Sequence, residues 1–153
     1  MDSKLFREYK FKFYLNASHS IIINGRQGEV HPHTWEIGLD ILVQRNAFTE
    51  FNEYEKVAQE FFDTYQDKVL NEVKPFDTLM PTLENIVDYF GEELSHRMKE
   101  VGGTLMRIEG GETPTRSYVV SYLRDENFIT SVGEDTQKAL DHAIDDLLDR
   151  VLE

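Results

Sequence analysis

The chain has 153 residues, of which 40% are hydrophobic and 12% aromatic, enough for one folded domain with a core and too apolar for a disordered chain. A formal net charge of −13 argues against binding a nucleic-acid backbone, and the absence of cysteine excludes disulfides, thiolate metal ligands and a thiol nucleophile. No run approaches the roughly 18 apolar residues of a membrane span, and Met1-Asp2-Ser3-Lys4 leads straight into an alternating segment with no signal peptide, so the expected location is cytoplasmic.

Residues 4 to 19 read as a long strand. From Tyr9 the period is two, with Tyr9, Phe11, Phe13, Leu15, Ala17 and His19 on one face and Lys10, Lys12, Tyr14 and Asn16 on the other. Ile21-Ile22-Ile23 extends the run, and Asn24-Gly25 is a strong turn signal. Residues 25 to 32 read as a polar loop of the kind that carries function on a rigid scaffold. A second strand is expected from about His33 to Gln44, with His31, His33, Trp35, Ile37, Leu39 and Ile41 sharing one parity. If the two strands pair, His19, His31 and His33 converge at one end of a sheet. Three neutral imidazoles with a fourth position open is how a catalytic zinc is commonly held, and the same pattern favours zinc over other divalent ions. The competing reading is three histidines with ordinary packing.

A helix follows over roughly 49 to 65, its apolar positions Phe51, Tyr54, Val57, Ala58, Phe61, Phe62 and Tyr65 spaced three and four apart. After a loop containing Pro75 and Pro81, Thr82 is a good N-cap for a second helix, Glu84 suits its dipole, and Gly102-Gly103 ends it. Residues 105 to 108 and 118 to 123 read as strands flanking Gly110-Gly111-Glu112-Thr113-Pro114, where glycines allow close backbone approach. A last, acidic helix is expected over about 134 to 152. The order β-β-α-α-β-β-α describes an α+β domain with its helices on one face of an antiparallel sheet. The other face and the edges would be covered by another subunit.

Phe11-x-Phe13 to Ala17-Ser18-His19, followed by His31-Pro32-His33-Thr34-Trp35, resembles the zinc site of the 6-pyruvoyl-tetrahydropterin synthase family, which includes the 6-carboxy-tetrahydropterin synthases. The resemblance continues at Leu70-Asn71, Pro81-Thr82-Leu83-Glu84-Asn85 and Glu112-Thr113-Pro114, in order, over about residues 1 to 124. It implies a tunnelling fold assembled into homo-oligomeric barrels, a hexamer in the family, with residues 125 to 153 as a helical extension. It implies Zn2+ on His19, His31 and His33 and a pterin-like small-molecule substrate. Glu112 would anchor the pterin's guanidine-like edge, where a bidentate acceptor is chemically apt, with Thr113 and Thr82 adding hydrogen bonds. Thr82 is equally well explained as a helix cap, and Glu112 as a solvated loop carboxylate.

The sequence departs from the family where the family's proton transfer takes place. Gln27 stands near the position of the usual cysteine base, and Gln66-Asp67 where an Asp-His pair would stand. One family branch uses a glutamate before the histidine pair, and Glu29 lies in that loop, one position off the usual spacing. Glu29 and Asp67 are therefore the candidate catalytic groups. Asp141-His142, in the expected last helix, is the other Asp-His pair, and reads more simply as a charged helix face. The functions in competition are a zinc-dependent enzyme acting on a dihydroneopterin-type substrate with an altered base, a metal-containing protein that binds a pterin or purine without turnover, and a structural protein with no metal.

Overall fold

The computed structural model describes residues 7–43 and 50–122. Strand β1 (Arg7–His19) pairs antiparallel with β4 (His31–Val43) along its whole length, from Arg7↔Val43 to His19↔His31. The alternation read in the sequence becomes burial: Phe13, Leu15, Ala17 and His19 are buried, while Lys12, Tyr14 and Asn16 of the other parity are exposed. Strand β4 begins two residues earlier than expected, because His31 and Pro32 continue the ladder opposite His19 and Ser18. The stretch read as a loop is shorter for a second reason. Strands β2 (Ile22–Ile23) and β3 (Arg26–Gln27) form a small hairpin whose turn residues, Asn24 and Gly25, both take positive φ, 53° and 77°.

Helix α1 (Phe51–Asp63) buries Tyr54, Ala58, Phe61 and Phe62, four of the positions on its expected apolar face. Helix α2 (Leu83–Glu100) starts where Thr82 predicts: the Thr82 hydroxyl accepts the Asn85 N–H at 3.2 Å. It ends in a Schellman motif, with Gly102 at φ 84° and the Gly103 N–H donating to the Met98 carbonyl at 2.8 Å. Two short elements carry no sequence signal. Strand β5 (Lys68–Val69) pairs parallel with β1 at Ala17 and Ser18, and a 3-10 turn spans Leu70–Glu72. A two-residue strand is too short to show any periodicity, so its position is set by packing alone.

Strand β6 (Thr104–Thr113) runs straight through the glycine pair expected to lie in a connection, and β7 (Arg116–Ser121) returns beside it. The described five-stranded sheet has the order β5-β1-β4-β6-β7, antiparallel except for β5, and both helices pack on one face. Leu15, Leu39, Ile41 and Ile108 from the strands meet Tyr54, Phe62, Phe90 and Leu94 from the helices in a single core. The opposite face is polar, with Lys12 bonded to Glu36 at 2.7 Å and Arg107 beside Glu109 at 3.6 Å. This is the α+β tunnelling fold. The expected helix over 134 to 152, Asp141-His142 and the division at residue 124 lie outside the described residues.

Candidate metal centre

The β1–β4 register brings three imidazoles together. His19 and His31 are direct cross-strand partners, and His33 lies two residues along β4, opposite Ala17, on the same helix-bearing face. One ring nitrogen from each of the three falls within 4.8 Å of the others, and the ring centroids are 4.5 to 5.1 Å apart. Trp35 forms the floor. Its indole meets His19 and His33 edge-on, at 4.9 and 5.2 Å, and its N–H donates to the Ala17 carbonyl at 3.3 Å.

Backbone carbonyls set two of the tautomers. The Nδ1–H of His19 donates to the Pro81 carbonyl at 2.7 Å, and that of His31 to the Glu29 carbonyl at 3.0 Å. Each bond holds the proton on Nδ1 and turns the Nε2 lone pair inward, the arrangement that orients a metal-ligating histidine. The Nε2 atoms of His19 and His33 are buried and have no hydrogen-bond partner. Burial pushes the pKa of His19 below its ordinary value, outweighing the opposing effects of the Pro81 carbonyl and Glu112, so the ring is held neutral as a ligand requires. Three converging imidazoles, two of them with buried and unpartnered Nε2 atoms, fit a zinc ion.

Glu112, near the end of β6, faces this cluster. Its Oε1 lies 3.9 Å from His19 Nε2 and its Oε2 3.9 Å from His33 Nε2, too long for hydrogen bonds. A cavity of about 420 Å³ opens here, lined among others by His19, His31, Thr82, Glu112, Arg116 and Tyr118. Beneath it Gly110 lies so close to Val87 of α2 that no Cβ would fit, which lets β6 approach the helix and carry Glu112 inward.

The other site residues expected from sequence fall elsewhere. Thr113 lines a separate cavity of about 280 Å³ with Lys12, Glu36 and Glu109, because successive strand residues point to opposite faces. Asp67 takes φ 60°, donates its N–H to the Asn16 carbonyl at 2.6 Å, and lines a third cavity of about 400 Å³ that reaches His33 from its other flank. Glu29 reaches the centre through its carbonyl; its carboxylate is exposed and does not line the Glu112 cavity. Gln27, standing near the family's cysteine position, donates to the Ser20 hydroxyl at 3.1 Å. His96 is exposed on α2.

Three contributors were not assigned a role from sequence: the Pro81 carbonyl, the Trp35 floor and Asn71. The Asn71 side chain both accepts from the Ser20 N–H and donates to the Ser20 carbonyl, each at 2.9 Å, clamping the chain immediately after His19. Leu70-Asn71 and Pro81-Thr82 belonged to the matched motifs, so the signal was present without its physical meaning.

A family model described as 6-pyruvoyl tetrahydropterin synthase matches residues 8–123. Among solved structures, the Caenorhabditis elegans 6-pyruvoyl tetrahydropterin synthase is 17% identical, covers 76% of this chain and 96% of its own, and gives a TM-score of 0.65. An uncharacterized protein from Wolinella succinogenes is 14% identical over 76% of this chain and 98% of its own, with a TM-score of 0.58. A Plasmodium vivax 6-pyruvoyltetrahydropterin synthase, in which a glutamate described as a catalytic residue is replaced by alanine, is 14% identical over 76% of this chain and 97% of its own, with a TM-score of 0.57. No curated protein sequence matches the chain. The structural likenesses share the fold, and the family match covers well over half of the chain and reaches into every described strand and helix: the chain belongs to the 6-pyruvoyl tetrahydropterin synthase family.

Proposed function

We propose that this protein is a zinc-dependent, pterin-metabolising enzyme that acts on a dihydroneopterin-type substrate with a carboxylate in place of the family's usual thiol base. The observation that carries the reading is the inward-facing Nε2 set of His19, His31 and His33, buried and unpaired at two of its three members, in a chain of this family. His19, His31 and His33 would hold the ion, which when bound supplies a Lewis acid that polarises a side-chain hydroxyl or carbonyl of the substrate. Glu112 offers two acceptor oxygens to the N–H donors of a guanidine-like ring edge, and Thr82 lines the same cavity. Proton movement falls to Glu29 or Asp67, because Gln27 and Gln66 do not titrate. The glutamate described as catalytic in the Plasmodium vivax protein supports a carboxylate base. The edge position of β7 among the described strands supports a homo-oligomer, the hexamer of the family resemblance, with residues 1 to 124 as the assembling domain.

The test combines metal analysis with turnover. Purified protein should carry stoichiometric zinc, and His31→Ala should lose metal and activity together. Stoichiometric zinc with both dihydroneopterin triphosphate and dihydroneopterin left unchanged refutes the enzymatic form. A second reading, a metal-containing protein that binds a pterin or purine without turnover, is favoured by one observation: Gln27, near the family's base position, is tied to Ser20 in a structural hydrogen bond. Tight pterin binding that weakens in Glu112→Gln, without turnover, would establish it.

A further inference from the structure

Glu112 stands in an electrostatic position that a role as ring anchor does not explain. The Pro81 carbonyl holds the His19 proton on Nδ1, so Nε2 presents a lone pair. Opposite this lone pair, 3.9 Å away, is a carboxylate oxygen. The second carboxylate oxygen lies 3.9 Å from His33 Nε2, which is likewise buried and unpartnered. At 3.9 Å neither carboxylate oxygen is hydrogen-bonded to the ring nitrogen it faces, and an anion held against two unpartnered ring nitrogens is explained by a cation between them. The distances suit that cation. Ligand atoms about 2.0 to 2.1 Å from a tetrahedral zinc are roughly 3.3 Å from one another. The carboxylate oxygens are a few tenths of an ångström beyond this, and closer to His19 and His33 than the 4.8 Å that bounds the separations within the histidine set. Glu112 is also partly exposed, so its side chain has room to turn toward the cavity or away from it.

We propose that Glu112 is a fourth, exchangeable metal ligand: it closes the coordination of the His19-His31-His33 site in the resting protein and is drawn off when a ligand bearing N–H donors enters the cavity. The inference rests on the metal reading above. It makes the resting centre coordinatively full, with its open position created by ligand binding rather than standing ready for solvent.

The test is the crystal structure of the zinc-loaded protein, solved without and with 7,8-dihydroneopterin, alongside azide titration of the cobalt(II)-substituted wild type and Glu112→Gln. The expected ligand-free structure has a Glu112 oxygen within about 2.2 Å of the metal. In the complex that oxygen has moved beyond bonding distance. In solution the wild-type cobalt spectrum should need at least ten times more azide to change than that of Glu112→Gln, and the wild type should respond to less azide once dihydroneopterin is present. A ligand-free structure with zinc on the three histidines and Glu112 more than 3 Å from it overturns the proposal and leaves the metal site standing. Equal azide responses of wild type and variant do the same. Failure of the wild type to take up either metal overturns both together.

Discussion

Thr82 joins the helix cap to the metal centre, and one substitution tests that link. Its hydroxyl accepts the Asn85 N–H at 3.2 Å, while the carbonyl of the preceding Pro81 accepts from His19 Nδ1 at 2.7 Å. Thr82→Ala removes the cap oxygen and leaves an N–H in the first turn of α2 without its side-chain partner. Loss of such a cap costs about 1 kcal/mol, within a range of roughly 0.5 to 2. For a chain of 153 residues this corresponds to a fall in Tm of about 2 to 4 °C per kcal/mol. The backbone bond from the Ile86 N–H to the Thr82 carbonyl, 2.9 Å, survives, so the helix frays at its start without melting. Fraying there frees the Pro81 carbonyl, which fixes the His19 tautomer, and loss of such an orienting partner lowers metal affinity by about 10- to 100-fold at most. The assay is thermal unfolding by circular dichroism in the presence of chelator, with zinc affinity measured by competition. Thr82→Ser should restore both stability and affinity, since serine caps as well as threonine. An alanine variant with unchanged Tm, or a serine variant that fails to rescue zinc affinity, refutes the coupling.

Three further outcomes are expected. Gly110→Val forces β6 away from Val87 and should destabilise by about 1 to 3 kcal/mol; because β6 carries Glu112, ligand affinity should fall with it, and an unperturbed urea midpoint would show that the strand has room to spare. Leu39→Ala, fully buried in the central strand, should cost about 2 to 5 kcal/mol with no direct effect on metal stoichiometry in the protein that remains folded. The metal-free protein should lose stability as pH falls below the ordinary imidazole value of 6.5, because the unfolded His19 takes a proton there while the buried ring resists until lower pH. Urea unfolding at pH 7.5 and 5.5 measures this; His19→Asn should reduce the difference, and a midpoint equally sensitive to pH in that variant would assign the effect to other groups.

What the sequence revealed followed from periodicity. The two-residue alternation of Tyr9 to His19 and of His31 to Ile41 put the histidines on one face, and the paired strands keep that phase. Thr82 and Gly102-Gly103 bounded α2 because caps are local chemistry that a few residues determine. The failures were of two kinds. Strand β5 and the turn at Leu70–Glu72 are too short to have a period, although Asn71 in that turn clamps the end of the strand carrying His19. Gly110 and Gly111 read as part of a connection where the backbone approaches something closely, whereas here they lie within β6: the missing side chain of Gly110 lets the strand pass Val87, and Gly111 lies against the β7 backbone at Arg116. The convergence of His19, His31 and His33 follows from strand phase, while Glu112 and Thr82, which only the motif resemblance named, line one cavity with His19 and His31. The separation of Thr113 and Asp67 into other cavities depends on strand parity at a bulge and on a left-handed turn, neither of which the motifs encode.

The direct pairing of His19 with His31 has a consequence for how the protein reaches its native state. Strand side chains alternate with a period of two, so a slip of β1 against β4 by one residue turns every side chain of one strand to the opposite face. Such a slipped hairpin would still bury aromatic rings and could persist as a kinetic trap. It could not assemble the three imidazoles, because His19 and the His31-His33 pair would then point to opposite sides of the sheet. A metal ion held by the three imidazoles would add its binding free energy to the native register alone, so that metal present during folding would favour the alignment that pairs His19 with His31.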